Sequence, residues 1–186
     1  MMEFAAALAG LSAVLRKAGI PHMVVGGAAV ILHGGVRTTM DIDVTVWVPE
    51  EGLPRAVAVI TKAFPARVPN PLEFARERRV LPVRAAGGVP ADIIFGLLPF
   101  EEEAIRKAEN MEVGGEQVPV CGVADLIIHK VISDRPEDAA DVQFLVSRYG
   151  ATLDRKSLDK QVSALATELS KPAISTRYSD CWRKRQ

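Results

Sequence analysis

The chain has few cysteines, no net charge and no long hydrophobic run, and each of these features excludes a class of protein. Its two cysteines, Cys121 and Cys181, lie far apart and in no metal-ligand spacing, which argues against a disulfide framework or a zinc site. Basic and acidic side chains number 23 each, so bulk non-specific binding to nucleic acid is not expected. No apolar run is long enough to span a bilayer, and the N-terminal segment carries Glu3 without the basic region of a signal peptide. We therefore expect a cytoplasmic protein that does not associate with membranes.

The composition is otherwise that of a globular protein. Of the 186 residues, 48% are hydrophobic and 25% are charged, which suits one domain with a proper core or one domain with a small appendage. Short apolar runs alternate with amphipathic stretches along most of the chain. This pattern predicts an α/β (α+β) fold, with a small mixed β-sheet flanked by helices and a helical C-terminal part.

The most informative stretch of the sequence spans residues 22–46. The apolar run His22–Val25 predicts a strand, and it stops at the glycine pair Gly26-Gly27. Residues 28–32 suit a helix that begins directly after the glycines. Residues 41–46 alternate acidic or polar side chains with Ile and Val, which predicts a second strand.

The second of these strands presents two carboxylates on one face. Residues i and i+2 of a strand point the same way, so Asp41 and Asp43 lie side by side. Like charges at that spacing favour a bound cation, and ligands that are all oxygen suit Mg²⁺. Backbone N–H groups exposed after Gly26 and Gly27 suit an anion such as phosphate. The alternative is a buried β-α-β piece whose aspartates cap a turn.

Taken together, these residues resemble the signature of the polymerase-β-like nucleotidyltransferase superfamily. The signature is Gly26-Gly27, then thirteen residues, then Asp41-Ile42-Asp43. With Arg37 and Thr39 added, the pattern is most similar to small bacterial proteins related to the AbiEii toxin. One departure is Gly27, where many members have serine, so that a hydroxyl contact to phosphate would be missing. The resemblance implies a nucleotidyltransferase domain over residues 1–145. Beyond it, the residues themselves indicate a helical extension over 146–172 and a basic tail over 173–186.

The resemblance also implies a third acidic residue on a later strand. Asp92 is the only acid in the strand predicted at residues 89–95. A carboxylate inside an apolar strand needs a partner because burying an unpaired charge is costly. Arg84, across a predicted hairpin, would be that partner if Asp92 were merely structural. The resemblance instead makes Asp92 the acid that completes the catalytic set.

The implied reaction transfers a nucleoside monophosphate from an NTP to a hydroxyl acceptor. The carboxylates would hold one or two Mg²⁺ ions, and Asp92 would also help to deprotonate the acceptor. The residues implied as catalytic and metal-binding are Asp41, Asp43 and Asp92. The residues implied as contacts of the triphosphate are Gly26, Gly27, Arg37 and Thr39.

A second group of charged residues resembles the later motifs of AbiEii-like proteins. Lys130 and Arg135 are followed by Asp138 and Asp141, which share a helix face because they are three residues apart. The resemblance implies that Lys130 contacts the triphosphate or the acceptor. An ion-pair network that pins two helices together explains the same residues equally well.

Two segments are expected to be irregular. Three prolines between residues 65 and 73 predict a loop without regular structure. Basic and aromatic residues are interleaved in the tail over 173–186, including Arg177, Tyr178 and Trp182. Such a tail is typically solvated, although the same composition can bind single-stranded nucleic acid.

Several functions remain open at this stage. The acceptor could be tRNA or a protein, in which case the chain would be the toxin of a toxin–antitoxin pair with an antitoxin partner. It could also be a small molecule, as in antibiotic-modifying nucleotidyltransferases. A third hypothesis is a non-catalytic module that binds a nucleotide or a partner on the same fold.

Overall fold

A mixed sheet of six strands forms the centre of the first part of the protein. The computed structural model describes residues 2–133 and 135–183. Strand β1 is antiparallel to β2, whereas β2 is parallel to β4 and β1 is parallel to β6. The order across the sheet is β3-β4-β2-β1-β6-β5. The strands are β1 His22–Val25, β2 Ile42–Val46, β3 Val80–Arg84, β4 Pro90–Phe95, β5 Glu109–Val113 and β6 Glu116–Val120.

Helices cover this sheet and carry apolar stripes that explain their positions. The first helix buries Leu8, Leu11 and Leu15, which recur at helical spacing, and packs on β5 and β6. A proline in the first turn of the third helix is tolerated because its missing N–H has no intrahelical partner there. The helices are α1 Met2–Lys17, α2 Gly26–Leu32, α3 Leu53–Ala63, α4 Pro71–Arg78 and α5 Pro99–Arg106.

The described residues fall into two units. The first comprises the residues up to Leu32 together with Arg37–Gly122, and it contains the whole sheet. The second comprises His33–Val36 and the residues from Val123 onward. Contacts therefore divide the chain at Gly122, earlier than the boundary at residue 145 that the sequence analysis expects.

The second unit is helical. Its helices α6 and α7 pack against each other, and both contact α9, while α8 packs on α6 and α9. The Tyr149 hydroxyl donates a hydrogen bond of 2.7 Å to the backbone carbonyl of His33, which ties the short segment His33–Val36 to this unit. The helices are α6 Val123–Ile132, α7 Pro136–Tyr149, α8 Arg155–Glu168 and α9 Ala173–Arg183.

The loop predicted over residues 65–73 is only partly irregular. Helix α4 already begins at Pro71, since proline is well suited to a first helical turn. Residues 65–67 lie beside β3, where Ala66 forms an isolated bridge with Val83. The three prolines therefore interrupt regular structure without preventing it.

The basic tail predicted over 173–186 is wrong for the residues that the structure describes. Helix α9 buries Ile174, Tyr178, Cys181 and Trp182, which recur at helical spacing. The rings of Tyr178 and Trp182 meet edge to face with centroids 6.1 Å apart, and the Arg155 guanidinium lies 4.7 Å from the centroid of the Trp182 ring. These aromatics form a core, so they are not available to stack on bases. The end of the predicted tail, residues 184–186, lies outside the described residues.

The mixed sheet and its flanking helices confirm the predicted fold class. Over residues 2–133 and 135–183, no helix combines the length and apolar character needed to cross a membrane.

The packing of α9 predicts a large stability loss on truncating its buried tryptophan. Trp182→Ala should lower the free energy of unfolding by about 3 kcal/mol, because it removes a buried ring and leaves a cavity. Thr176→Ala, at an exposed position of the same helix, serves as the control and should change stability little. Urea unfolding followed by circular dichroism measures both. Equal stability of the two variants would contradict a packed α9.

Candidate active site

The strand register brings the predicted carboxylates together. Asp43 in β2 lies directly opposite Asp92 in β4, in the parallel pairing of those strands. Side chains opposite each other in a sheet project from the same face, so these two carboxylates are neighbours. On the other face, Ile42 and Val44 are fully buried. The alternation of polar and apolar residues therefore sets which side chains line the site.

Asp41 completes the cluster from the residue just before β2. Burial raises the pKa of Asp92, the nearby Arg67 guanidinium lowers it, and the negative charge of Asp41 raises it, so that the pKa lies above its usual value. The strand register brings these two residues near each other, because Ile42, which follows Asp41, lies opposite Ala91, which precedes Asp92. The structure thus gathers Asp41, Asp43 and Asp92 in one place.

The partner of Asp92 is Arg67, not the Arg84 considered from sequence. In the antiparallel pairing of β3 and β4, Arg84 lies opposite Pro90 and Asp92 lies opposite Pro82. The Arg67 guanidinium approaches Asp92 with Nη1 3.5 Å from Oδ1. Sequence analysis missed Arg67 because it lies in the proline-rich segment that was expected to be irregular.

The glycine pair is required by the close approach of other site residues. Gly26 has a φ of +63°, and a Cβ added there would collide with the Asp43 carboxylate. A Cβ on Gly27 would lie 2.9 Å from Thr39 Oγ1 and 3.1 Å from the Arg37 guanidinium carbon. Any larger residue would displace the carboxylate or the guanidinium, so the pair leaves room for both.

The segment after α2 supplies the polar and cationic groups of the site. Thr39 Oγ1 donates a hydrogen bond of 2.9 Å to Asp41 Oδ1 and lies 3.3 Å from the Asp41 carbonyl, which orients this carboxylate. Arg37 lies against Gly27 and presents a positive charge beside the backbone of the glycine pair. The site therefore has a cationic region at Gly27 and an anionic region at the carboxylates.

The carboxylates are suitable ligands for a divalent cation, but their oxygens do not converge on a single coordination site. Their donor atoms are all oxygen, which suits Mg²⁺, and a cation would relieve the repulsion between Asp41 and Asp92. Within residues 2–133 and 135–183, no three His, Cys, Asp or Glu side chains already form a group that could hold a metal ion. Side-chain rotation at the carboxylates would be needed for them to ligate together.

Lys130 is engaged by two carboxylates within the second unit. Its Nζ lies 2.5 Å from Asp138 Oδ1 and 2.8 Å from Asp141 Oδ2, and all three side chains are buried. Arg135 Nε lies 2.7 Å from the other oxygen of Asp138. Burial alone would raise the pKa of Asp138, but hydrogen bonds from Lys130, Ser133 and Arg135 hold it below the usual range.

This geometry is the ion-pair network that sequence analysis gave as the alternative reading. It joins α6, which carries Lys130, to α7, which carries Asp138 and Asp141. The implied contact of Lys130 with the triphosphate or the acceptor stays a prediction.

The glycine pair yields a prediction with a matched control. Gly26→Ala should lower the free energy of unfolding by about 1–3 kcal/mol, because it adds a side chain at positive φ and pushes on the Asp43 carboxylate. Gly10→Ala, in α1 with open space around it, should instead stabilise the protein by about 0.5–1 kcal/mol. Thermal unfolding measures both. A Gly26→Ala variant as stable as the wild type would contradict the close approach of Asp43.

The buried network yields a prediction with a defined pH dependence. Lys130→Met should lower the free energy of unfolding by about 3–5 kcal/mol near pH 7, because it removes the buried cation that Asp138 and Asp141 share, although Arg135 remains beside Asp138. Since the folded pKa of Asp138 is depressed, the network contributes fully above the unfolded pKa of about 3.9 and loses its contribution as pH falls toward the folded value. The deficit of the variant should therefore be smaller at pH 3 than at pH 7, with the decrease occurring below about pH 4.

Urea unfolding across this pH range measures the deficit. Lys160→Met, which removes an exposed lysine of α8, is the control and should change stability little at either pH. A deficit that does not change with pH would contradict an ion-pair origin.

Comparison with known proteins identifies the fold. No family model matches the chain, and no curated protein sequence matches it. Among solved structures, it is similar to the antibiotic-resistance factor ANT(2'')-Ia, with a TM-score of 0.55 at 16% identity over 95% of this chain and 94% of that one.

The same factor in complex with adenylyl-2''-tobramycin gives a TM-score of 0.56 at 16% identity, over 94% of this chain and 98% of that one. An antigenic nucleotidyltransferase-like protein from Paracoccidioides brasiliensis gives 0.57 at 14% identity, over 95% and 92%. At these identities the similarity concerns the fold, and the chain has the nucleotidyltransferase fold.

Proposed function

We propose that the protein transfers a nucleoside monophosphate from an NTP to a hydroxyl acceptor. The observation that carries this proposal is the register of β2 and β4, which sets Asp43 opposite Asp92 with Asp41 close by. The glycine pair, with Arg37 beside it, lies at the end of β1, and β1 is the other neighbour of β2. Groups suited to a metal and groups suited to a triphosphate therefore adjoin each other.

Each residue has a specific task in this proposal. Asp41, Asp43 and Asp92 would hold one or two Mg²⁺ ions, which would neutralise the triphosphate and stabilise charge on the attacking and leaving oxygens. Asp92 would accept the proton of the acceptor hydroxyl. The acceptor oxygen would bond to the α-phosphorus as the bond from that phosphorus to the bridging oxygen breaks and pyrophosphate leaves.

The triphosphate would lie toward the glycine pair. Arg37 would pair with phosphate oxygens, and the backbone N–H groups of Gly26 and Gly27 would approach the β- and γ-phosphates. Thr39 would act through its hydrogen bond to Asp41, which fixes one carboxylate for the metal. Its hydroxyl also lies beside Gly27, and if its one proton turned from Asp41 to a phosphate oxygen, it would supply the contact of the absent serine.

A small-molecule hydroxyl is the acceptor that we favour. ANT(2'')-Ia, which shares this fold, has been solved with adenylyl-2''-tobramycin. The second candidate is a toxin related to AbiEii that modifies tRNA or a protein in the cytoplasm and has an antitoxin partner. Its support was the motif of Lys130, Arg135, Asp138 and Asp141, and the ion-pair network already accounts for all four residues.

The proposal predicts metal-dependent transfer that requires the carboxylates. The wild type with Mg²⁺ and α-labelled NTPs should transfer label to an acceptor from a panel of aminoglycosides and lincosamides, cell RNA and lysate protein. Asp41→Ala/Asp43→Ala should reduce this transfer at least about 100-fold, because the metal ligands are lost. Glu77→Ala/Glu168→Ala, which removes two exposed carboxylates elsewhere, should leave transfer unchanged.

The labelled product identifies the acceptor class. Label on RNA or protein would favour the toxin-like candidate. Tight Mg²⁺-dependent NTP binding without transfer to any acceptor would indicate a non-catalytic module. Transfer that survives the loss of Asp41 and Asp43 would contradict the mechanism.

A further inference from the structure

Arg67 occupies a defined place in the sheet although it lies outside the six strands. The backbone N–H of Arg67 donates to the Pro82 carbonyl at 2.8 Å, and the N–H of Arg84 donates to the Pro65 carbonyl at 2.9 Å. With the bridge between Ala66 and Val83, these bonds align residues 65–67 antiparallel to β3. Arg67 is therefore opposite Pro82 in the same way that one strand residue is opposite another.

The register places Arg67 in line with the carboxylates. Pro82 lies opposite Asp92, and Asp92 lies opposite Asp43. Residues in such a row share one face of a sheet, with about 4.8 Å between adjacent backbones. Arg67 and Asp92 are thus two backbones apart, a span that an arginine side chain can bridge if the residue between them is short. Proline at position 82 meets that condition, because its ring ends close to the backbone.

The contact between Arg67 and Asp92 has the properties of an exchangeable pair. Nη1 and Oδ1 are 3.5 Å apart, and each side chain is 36% exposed. An ion pair that is this long and this exposed to water contributes little to stability. Arg67 can therefore leave Asp92 without loss of the fold, provided that another anion replaces the carboxylate.

If a cation bound to Asp92, the Arg67 guanidinium would have to leave that carboxylate. If the proposed reaction is correct, Asp92 takes a divalent metal, and the guanidinium would then face a dipositive ion at close range. Two cations repel each other even in water, so the metal and the guanidinium compete for the same carboxylate. A bound triphosphate removes the conflict. Its β- and γ-phosphates would point toward the glycine pair, but its α-phosphate would lie at the metal beside Asp92 and would offer Arg67 a second anionic partner.

Resting on the proposed function, we propose that Arg67 is a removable counter-charge for Asp92, which opposes metal binding until a triphosphate draws the guanidinium away. Arg67 is thus a positioning residue for the metal and a contact of the anionic substrate. Metal and triphosphate bind cooperatively as a result, and the metal binds weakly when it is alone.

Metal binding without nucleotide tests the first half of the inference. Titration of the full chain with Mn²⁺, followed by calorimetry, should show that Arg67→Met binds the ion about threefold to tenfold more tightly than the wild type. Arg67→Lys, which keeps the charge, should stay near the wild type. A structural defect would weaken the site, so tighter binding is a result that misfolding cannot produce.

Arg84→Met is the matched control. It removes the same charge from β3 at an exposed position that lies opposite Pro90, away from the row that contains Asp92. Its Mn²⁺ affinity should match that of the wild type. Equal affinity in Arg67→Met and Arg84→Met, weaker binding in Arg67→Met, or binding in neither variant would overturn the inference.

Binding of inorganic tripolyphosphate tests the second half. This probe needs no choice of base and cannot undergo transfer of a nucleoside monophosphate. In the presence of Mn²⁺, Arg67→Met should bind it several-fold more weakly than the wild type, and tripolyphosphate should tighten Mn²⁺ binding less in this variant than in the wild type. If Arg67→Met kept the cooperativity between Mn²⁺ and tripolyphosphate that the wild type shows, the inferred movement of Arg67 from Asp92 to phosphate would be overturned.

These measurements separate the inference from the proposed function. Transfer by the wild type tests the function and does not depend on Arg67. A wild type that transfers label while Arg67→Met binds Mn²⁺ normally would reject the role of Arg67 and keep the enzyme. A protein that shows the exchange but transfers no label would keep the role of Arg67 as a ligand switch and reject catalysis with the acceptors tested.

Discussion

Repulsion between carboxylates is the physical constraint on which the site depends. The parallel pairing of β2 and β4 sets Asp43 and Asp92 opposite each other, and Asp41 adds a third negative charge. A sheet holds such neighbours at fixed spacing, so the charges cannot separate by backbone movement. Neighbouring residues accommodate these negative charges. Thr39 donates a hydrogen bond to Asp41, and the Arg67 guanidinium faces Asp92. The Asp43 carboxylate lies against Gly26, where no side chain competes for the space.

The candidate site lies in the first unit because the sheet sets the relative positions of its residues. Asp43, Asp92 and Pro82 lie in strands, and hydrogen-bonded register fixes their order across the sheet. The row that includes Arg67 extends this order one backbone further through two hydrogen bonds, which together form the bridge between Ala66 and Val83. The backbones of Asp43 and Asp92 are therefore fixed within the sheet. Arg67 lies at the edge of the sheet, where its side chain can change partners at a smaller cost in free energy.

Sequence reasoning succeeded where one local pattern determines the outcome. The alternation of polar and apolar residues over 41–46 predicted the strand and the shared face of its two acids. Asp92, the lone acid in an apolar strand, was predicted as the third carboxylate. It failed for Arg67, because its pairing with Asp92 depends on the register of two non-adjacent segments and on a short residue between them. It also failed for α9, because the basic residues interleaved with Tyr178 and Trp182 obscure the helical spacing of the apolar residues from Ile174 to Trp182.

The buried network between α6 and α7 has a consequence for finding other proteins of this kind. Short ion pairs neutralise the charges of four residues of this network, namely Lys130, Arg135, Asp138 and Asp141. A sequence search based on these four residues would collect chains that assemble the same pair of helices, whether or not they bind a nucleotide. The spacing of Asp41 and Asp43, together with a glycine at positive φ, is a better criterion for recognising chains that share the proposed site.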